Sequence, residues 1–362
     1  MTTQRPTDDS ADATAAAVPA NPAAKPRLTL GDLAQLLGVS RATVSNAFNR
    51  PDQLSAVLRN EILTKSRELG YFGPDPAARA LRRPELREVA VVYHHGLQYA
   101  LNDPLSIEFL KGVGSELDQR GLSLQLIPKL GRKLALSAAF QTTADALIVH
   151  AEIGPELAPE VLGTRKPLVL VDTLVTGVPS IGIDDRGGAA RAMAHVLSRQ
   201  PDHLLVLGFT LNKRQRALVF GGGGSLPPNP SLAVERYAGY VAAITQVGWP
   251  AERTDWLAID DQDPENSAEQ LGQVQRRLAP GTRLGVVAMT DRMALSALRQ
   301  IRSWAGIELV GAVGFDDIPA AAAAGLSTIR QDAFRKGQLA VQAVLDGARP
   351  APLPVELVVR QT

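Results

Sequence analysis

The chain has 362 residues, a hydrophobic content of 45% and a formal net charge of +1 at pH 7. It has no cysteine, which excludes disulfide bonds and thiolate metal ligands. No run reaches the roughly 18 apolar residues that span a membrane, and because the whole chain is nearly neutral, any surface that binds nucleic acid must be local.

The first 26 residues are rich in Ala, Thr, Pro and Asp and contain no hydrophobic stretch of the signal-peptide type. Such a composition cannot bury enough apolar surface to fold, so we predict a disordered tail over residues 1–26. Without a secretory signal, the chain is expected to be cytoplasmic.

Residues 28–50, LTLGDLAQLLGVSRATVSNAFNR, have the pattern of two short amphipathic helices joined by a tight turn at Gly38. Thr29 and Asp32 are spaced as a capping box for the first helix, and Ser40 can cap the second. The segment is therefore predicted to be a helix-turn-helix, whose second helix lies in the DNA major groove. The alternative is an ordinary helical hairpin.

Two further helices are predicted downstream. Ser55 can cap a helix over about 56–69, and Gly70 stands where a left-handed terminating residue is expected. In YFGPDPAARALRR, Asp75 and Pro76 are suited to begin a helix of about two turns. A helix this short is marginal alone in water, so it needs a partner or a ligand.

The segments TLGDLAQLLGVSRATVS and ELGYFGPDPAARALRR, followed by an α/β domain, resemble the LacI (lactose-repressor) family of bacterial transcription regulators. The resemblance covers about residues 28–362. It implies that the short helix is a hinge, ordered when two subunits bind operator DNA, and that Leu81 enters the minor groove as an apolar wedge. Ala78 belongs to the same predicted DNA contact.

The start of the second helix carries the residues best suited to read bases. Arg41 can bind guanine in bidentate fashion and Ala42 can touch a thymine methyl, although Arg41 could instead contact phosphate. Asn46 stands where the family usually has arginine; asparagine favours adenine and is uncharged, so the usual operator sequence is in doubt. The predicted DNA-binding residues are Thr29, Ser40, Arg41, Ala42, Thr43, Ser45, Asn46, Asn49, Ala78 and Leu81.

The charge around this segment is modest. Residues 27–87 contain ten basic and six acidic side chains, a local charge of +4. Pairing of two subunits would double this electrostatic footprint.

From Glu88 onward, apolar runs alternate with helical patterns, which indicates parallel sheets with helices on both faces. Two such units in tandem would form a cleft at the carboxyl ends of their strands, where small ligands bind. We predict strands at Glu88–Tyr93, Leu122–Ile127, Ala146–His150, Leu168–Val171, Leu204–Leu207 and Leu284–Ala288, and helices at Ser106–Gln119, Gly187–Ser198, Leu232–Gln246, Asn266–Leu278 and Arg292–Trp304.

The resemblance implies that this part is a periplasmic-binding-protein-like effector domain of two doubly wound parallel-sheet subdomains. The chain would cross between them near Asp184, Gln331 and Leu353, and its last strand would return to the second. The predicted organisation is a tail at 1–26, an all-α helix-turn-helix domain at 27–73, a hinge helix and linker at 74–87, and an effector-binding and dimerisation domain at 88–362. Its first subdomain spans about 88–184 and 331–352, its second about 185–330 and 353–362.

Candidate ligand contacts lie just after strand ends or at the family's effector-contacting arginine. Carboxylates and an arginine around one cleft suit a polyhydroxylated ligand, because they fix hydroxyl groups by charge-assisted hydrogen bonds. The alternative for each residue is a helix cap or a strand-end salt bridge. The resemblance carries effector contact onto His150, Asp172, Arg236, Asp291 and Asp316. His94, His95, Tyr99 and Asp103 could also line the cleft.

No catalytic or metal-binding set is expected. The glycines at 221–224 lack the Lys-Ser/Thr of a phosphate loop and precede prolines, so a surface loop is favoured. The acidic pairs at 184–185 and 316–317 have no partners with metal or catalytic spacing. The chain is therefore not expected to be an enzyme or to hold a cofactor.

The sequence thus predicts a homodimeric regulator, most simply a repressor, that binds a near-palindromic operator. A small ligand, most simply a sugar or sugar derivative, would bind between the subdomains and change the affinity for DNA. Induction and corepression both stay open. A dimer is favoured over a tetramer because no leucine-heptad helix follows the last strand. The alternatives are a solute-binding protein that uses the same cleft and an enzyme fused to a DNA-binding module.

Overall fold

The structure is a computed structural model. It describes residues 28–49, 53–69, 71, 86–93, 96–127, 142–151, 153, 157–211, 213–220, 231–259 and 264–362. The described residues up to Tyr71 belong to one compact unit and those from Leu86 onward to another.

The N-terminal unit contains three helices: α1 (Leu30–Leu37), α2 (Arg41–Asn49) and α3 (Ala56–Glu68). Leu33 of α1, Val44 and Phe48 of α2, and Tyr71 form its small core. The rings of Phe48 and Tyr71 meet edge to face with centroids 5.6 Å apart. The predicted helix-turn-helix is confirmed.

Local sequence signals set the ends of these helices. Thr29 and Asp32 form the predicted capping box of α1, and Gly38 ends that helix with a left-handed φ of 65°. The side chain of Ser55 caps α3 by accepting a hydrogen bond from the backbone of Leu58. Gly70 and the predicted hinge, with Ala78 and Leu81, lie outside the described residues.

The first sheet of the second unit has five parallel strands in the order β2-β1-β3-β4-β5. With its helices it is called the first subdomain. Its strands are β1 (Glu88–Tyr93), β2 (Ser123–Ile127), β3 (Ala146–His150), β4 (Leu168–Val171) and β5 (Ser180–Ile181), and the helices between them are α4 (Leu97–Asn102), α5 (Pro104–Arg120) and α6 (Ala158–Gly163).

The second sheet has six strands in the order β11-β10-β9-β8-β6-β7, parallel except for β11. With its helices it is called the second subdomain. The strands are β6 (His203–Gly208), β7 (Thr254–Ala258), β8 (Arg283–Ala288), β9 (Glu308–Asp316), β10 (Ser327–Arg330) and β11 (Glu356–Val358); the helices are α7 (Asp185–Leu197), α8 (Lys213–Phe220), α9 (Leu232–Gln246), α10 (Pro264–Gln275), α11 (Asp291–Ile301) and α12 (Pro319–Ala323).

The chain passes between the two sheets three times. It leaves β5 for α7, leaves β10 for α13 (Ala333–Asp346), which packs against the first sheet and α5, and returns to the second sheet as β11. The first and third passages run side by side: Ile183 and Leu353 form a parallel bridge, and the amide of Asp184 donates to the carbonyl of Leu353 at 3.1 Å. These paired segments form a narrow connection between the subdomains.

The predicted fold class is confirmed, because both sheets are parallel, except for β11, and alternate with helices; their central strands are continuous apolar runs buried on both faces. The structure contains several elements that the predicted strands and helices do not include, among them one strand and one helix at the second sheet. Residues Thr254–Ala258 form an edge strand that we did not predict, and the basic segment Lys213–Phe220 is a helix. Among the described residues, no helix combines the length and apolar character that crossing a bilayer requires.

Candidate functional site

Helix α2 has one buried face and one polar face. At 100° per residue, Arg41, Ala42, Ser45 and Asn46 share one side of the helix. Arg41 and Ala42 are exposed, and Ser45 and Asn46 are half-buried. The opposite side is buried and consists of Val44, Ala47 and Phe48. The polar face is therefore available for a major groove, with Asn49 at its end; the side chain of Asn49 lies outside the described residues.

Three of the predicted DNA-binding hydroxyl groups shape the helix ends. Ser40 Oγ accepts from the backbone amide of Thr43 at 3.0 Å and lies 2.8 Å from its hydroxyl. Thr29 bonds Asp32 in the capping box and lowers the pKa of that carboxyl group. These hydroxyl groups begin the two helices, whatever further contact they make with DNA.

Arg41 lies across the start of α1. A Cβ atom at Gly31 would stand 2.8 Å from Nη2 of Arg41, so glycine leaves room for the guanidinium group. Asp32 is close enough for the charge of Arg41 to lower its pKa further, after the effect of the Thr29 hydrogen bonds. The arginine is thus held at the junction of the two helices.

The cleft between the subdomains contains a chain of buried polar groups. Asp172, directly after β4, accepts from Lys336 Nζ at 2.8 and 2.9 Å and lies 3.1 Å from His150 Nε2. Lys336 also donates to Gln331 Oε1 at 2.8 Å, and Gln331 Nε2 donates to Asp316 Oδ1 at 2.7 Å. This chain of hydrogen bonds therefore runs from Asp172 in the first subdomain to Asp316 at the end of β9 in the second.

Arg236 continues this arrangement on the second subdomain. Its Nε donates to Asp185 at 2.8 Å, its Nη1 donates to the carbonyl of Met289, and its guanidinium carbon lies 3.6 Å above the centre of the Phe315 ring. Burial alone would lower the pKa of Arg236, but the charges of Asp185 and Asp316 outweigh it and raise that pKa. Arg236 is therefore a fixed cation at the floor of the cleft.

Burial acts in the same direction on Asp172 and Asp316, but neighbouring groups reverse its effect on the pKa only at Asp172. Burial would raise the pKa of Asp172, but the ammonium group of Lys336 and the bond from His150 hold that pKa well below its ordinary value. Burial raises the pKa of Asp316 well above its ordinary value, against the pull of Arg236. Asp172 is thus held as an anion by its two partners, whereas Asp316 accepts a hydrogen bond from Gln331 while burial and Arg236 act on its pKa in opposite directions.

Both carboxyl groups stand on strained backbone. The φ angles of Asp172 and Asp316 are 55° and 116°, a region that residues other than glycine rarely adopt. Strain of this kind is concentrated at ligand-binding sites, where the surrounding structure holds it in place.

Asp291 is placed differently from the other four predicted contacts. It is fully buried at the start of α11, where its carboxylate accepts from the backbone of Ile318 at 2.9 Å and from the hydroxyl of Thr328 at 2.6 Å. Burial raises its pKa to about 6. These bonds fasten α11 to neighbouring segments of the second subdomain.

A second contact between the subdomains lies at the start of α11. Arg292 Nη1 is 3.9 Å from Asp103 Oδ1, and the guanidinium carbon lies 5.2 Å from the centre of the Tyr99 ring. Asp103 and Tyr99 belong to the first subdomain, so Arg292 bridges the two. His94 and His95 lie outside the described residues.

A cavity of about 480 Å³ opens beside the first and third passages. Asp172 and Ser180 line it from the first subdomain, and Leu232 and Glu235 from α9. Its volume is within the range of small-molecule sites, roughly 300–1,000 Å³. No group of three or more His, Asp or Glu side chains suited to hold a metal occurs in the part of the chain that the structure describes.

Sequence reasoning missed Lys336, Gln331, Asp185 and Arg292. A signal for Lys336 existed, since it is a lysine on a helix whose neighbours Ala333, Gly337 and Ala340 are small and buried. A charged side chain in such a stripe is buried only when it is paired. The sequence indicates Gln331 only as a point near which the chain crosses between the subdomains. Nothing in its sequence context indicates a hydrogen bond to Asp316.

Comparison with known proteins places the chain among transcriptional regulators. A domain family described as periplasmic binding protein-like matches residues 202–362. The HTH-type transcriptional regulator Rv3575c of Mycobacterium tuberculosis is 33% identical over 349 residues, covering 92% of this chain and 95% of that protein.

Two solved structures share the fold. The complex of the transcriptional regulator CelR with cellobiose has a TM-score of 0.59 and 23% identity, over 92% of this chain and 99% of that one. The lac repressor dimer bound to operator and the anti-inducer ONPF has a TM-score of 0.58 and 21% identity, over 92% and 98%. Both are organised like the present chain over nearly its whole length.

Proposed function

Because the chain belongs to the LacI family of helix-turn-helix transcriptional regulators, we propose that it is a repressor whose affinity for a near-palindromic operator is controlled by a small ligand. The ligand binds between the two subdomains, at the polar chain that begins at Asp172. DNA binding itself rests on the helix-turn-helix and on the regulator that is similar over 92% of this chain.

The observation that carries the proposal is the hydrogen-bonded connection across the cleft. Lys336 is fixed to Asp172 in the first subdomain, and Gln331 passes the connection to Asp316 in the second. A ligand that bonds any of these groups must replace or extend the connection. Its binding free energy therefore differs between arrangements of the subdomains, and this difference is what allosteric control requires.

We propose a carbohydrate or a related polyol as the ligand. The cleft offers a charged donor, Arg236, and carboxyl groups that accept hydrogen bonds, Asp172 and Asp316. A hydroxyl group can both donate and accept, so adjacent hydroxyls on a ring match such a set of partners. That the structurally similar CelR was solved with cellobiose supports this class of ligand.

On the DNA side, two subunits present two copies of α2 to the two halves of the operator. The similarity to the lac repressor, solved as a dimer on its operator, supports this arrangement. The hinge at 74–87, with Ala78 and Leu81 as minor-groove contacts, and the subdomain boundaries remain predictions. Closure around the ligand would change how the two hinges approach the DNA.

A selection experiment tests the proposal. Purified full-length protein is incubated with a library of random DNA duplexes, alone and with each member of a panel of sugars and polyols. We expect an enriched palindrome whose recovery changes with one member of the panel. Absence of any enriched sequence would refute the regulator and favour a protein that only binds solutes.

A further inference from the structure

Asn46 and Gln53 form a pair of amides at the edge of the polar face of α2. Asn46 Nδ2 donates to Gln53 Oε1 at 3.0 Å. Asn46 is half-buried on the helix, while Gln53 is exposed and stands between α2 and the cap of α3. The exposed amide of Gln53 is therefore bonded to a residue on the polar face of α2.

We infer that Gln53 is a positioning residue that fixes the amide of Asn46 so that Asn46 selects an adenine in each half of the operator. The inference rests on the proposed function, since it assumes that α2 lies in the major groove. It assigns a role to Gln53 that the sequence alone did not indicate.

The geometry of an amide explains why a brace matters. Adenine presents an acceptor, N7, beside a donor, the N6 amino group, and an amide matches both with its oxygen and the N–H on the same edge. The second N–H of Asn46 points away from that edge, so it can donate to Gln53 Oε1 while the first N–H meets adenine. The bond to Gln53 and the contact with adenine are therefore compatible in one orientation of the amide.

The opposite orientation is disfavoured. A half-turn of the Asn46 amide exchanges its oxygen and nitrogen at little intrinsic cost, since this terminal torsion is broad and roughly two-fold. After that turn two carbonyl oxygens, Asn46 Oδ1 and Gln53 Oε1, would face each other, and only a second turn at Gln53 would restore a bond. Two side chains must thus rotate together before Asn46 can present the wrong edge.

The segment that directly follows Gln53 is held in place by two contacts. Ser55, two residues later, caps α3 by accepting from Leu58 at 3.3 Å. Arg59 of α3 donates from Nε to the carbonyl of Ala47 in α2 at 3.2 Å. These contacts hold the start of α3 against the helix that carries Asn46.

The test is the same library selection with four variants of the full-length protein. Asn46→Ala identifies the base pair that Asn46 reads, because the preference there should disappear. Gln53→Ala should lower the adenine preference at that same base pair several-fold, out of the roughly tenfold or more that a bidentate amide contact supplies. Affinity for nonspecific DNA should stay unchanged in Gln53→Ala, since no charge is altered.

Gln53→Glu separates positioning from direct contact. A carboxylate keeps the acceptor and can only accept, so the orientation of Asn46 and the adenine preference should persist. Its negative charge should weaken binding to all sequences by a similar factor. Gln35→Ala, which removes an exposed glutamine from α1, should leave both preference and affinity unchanged.

Three results would overturn the inference. The first is an unchanged preference in Gln53→Ala at the base pair that Asn46→Ala identifies, and the second is a preference lost equally in Gln53→Ala and Gln53→Glu. The third is an operator with no base pair that depends on Asn46, which would leave the proposed function intact. If the wild-type protein selects no sequence, both fail together. Circular dichroism and nonspecific DNA binding verify that each variant is folded.

Discussion

Lys336 is the residue on which the polar chain of the cleft depends. The residue is only 2% exposed and its ammonium group makes three hydrogen bonds, two to Asp172 and one to Gln331. A buried ammonium has a high cost of desolvation that only close anionic and carbonyl partners offset. Lys336 therefore keeps Asp172 ionised and, through Gln331, connects it to the second subdomain.

Replacing Lys336 with methionine should destabilise the protein by about 3 kcal/mol, the cost of leaving one partner of a buried ion pair unpaired. The pKa of Asp172 should rise, because the charge that lowers it is removed. Chemical denaturation of the wild type and of Lys336→Met measures the difference. In a double-mutant cycle, Asp172→Asn should recover part of the loss.

Lys111→Met is the matched control for this prediction. Lys111 pairs with Glu108 at 2.6 Å, but its side chain is 60% exposed. Exposed ion pairs contribute little to stability, so we expect Lys111→Met to lower the free energy of unfolding by less than about 1 kcal/mol. Equal losses in Lys336→Met and Lys111→Met would contradict the importance given to the buried pair.

Asp291 gives the stability of the protein a particular dependence on pH. Burial raises its pKa from the ordinary 3.8 to about 6. The folded state therefore holds this proton more tightly than the unfolded state, and the contribution of Asp291 to stability falls as pH rises from 3.8 to about 6.

The comparison with Asp291→Asn isolates this effect, since asparagine does not titrate. The stability of the wild type relative to the variant should decrease with rising pH over that interval and be constant at higher pH. Denaturation curves at a series of pH values measure it. A relative stability that increases with pH over the interval would show that Asp291 is stabilised as an anion instead.

At the scale of elements, each subdomain depends on a helix pair that meets at glycine. In the first subdomain, a Cβ atom at Gly112 of α5 would overlap the carbonyl oxygen of Phe334 in α13, and Gly337 stands equally close to Phe109. In the second, Gly239 of α9 has no room for a Cβ beside Arg186 of α7. In both pairs, α5 with α13 and α7 with α9, the helices are thus packed backbone to backbone.

Alanine at Gly112 and at Gly114 should have opposite effects, although both residues lie in α5. Gly112→Ala should cost about 1–3 kcal/mol, because the added methyl group forces the two helices apart. A Cβ at Gly114 meets no atom within 4 Å, so Gly114→Ala should stabilise the helix by up to about 1 kcal/mol. Thermal unfolding of both variants tests whether α5 and α13 approach closely at Gly112. Destabilisation of the same size at both positions would contradict this close approach.

The elements that could be predicted are those whose pattern is contained in a short stretch of sequence. Strands such as β3 and β4 were predicted with their observed bounds, because each is a continuous apolar run in the sequence. Strand β7 is an edge strand, mostly half-buried, and TDWLA carries no such run. Capping residues were predicted well because a cap involves positions only three residues apart.

The candidate site was predicted less completely, because its bonds join distant parts of the chain. Asp172 was chosen from its place after a strand, but its partner Lys336 lies 164 residues away. Asp291 has the same strand-end position and yet serves packing inside one subdomain. Position relative to a strand thus indicates where a carboxyl group lies and not which group it binds.

At the scale of the whole effector domain, two subdomains joined by narrow passages also touch through Arg292. Its contacts with Asp103 and Tyr99 exist only when the subdomains are close together. A half-exposed ion pair and a cation–π contact contribute about 1 kcal/mol together. Arg292 therefore favours the closed cleft by a small amount, which a ligand can add to.

Arg292→Gln should weaken binding of the effector about threefold to fivefold, because the ligand must then close the cleft without this contact. Titration calorimetry with the sugar that alters operator recovery measures it. Arg299→Gln is the control, since Arg299 is exposed at the other end of α11. Equal affinities in the two variants would show that Arg292 has no part in closure.

The operator and the ligand bind to one coupled system. Coupling is reciprocal: if the sugar changes operator affinity by some factor, the operator must change sugar affinity by the same factor. The most direct measurement is the dissociation constant of the sugar for the full-length protein, with and without saturating operator duplex. We expect the two values to differ by the factor seen in operator binding. Identical sugar affinities with and without operator would contradict the account.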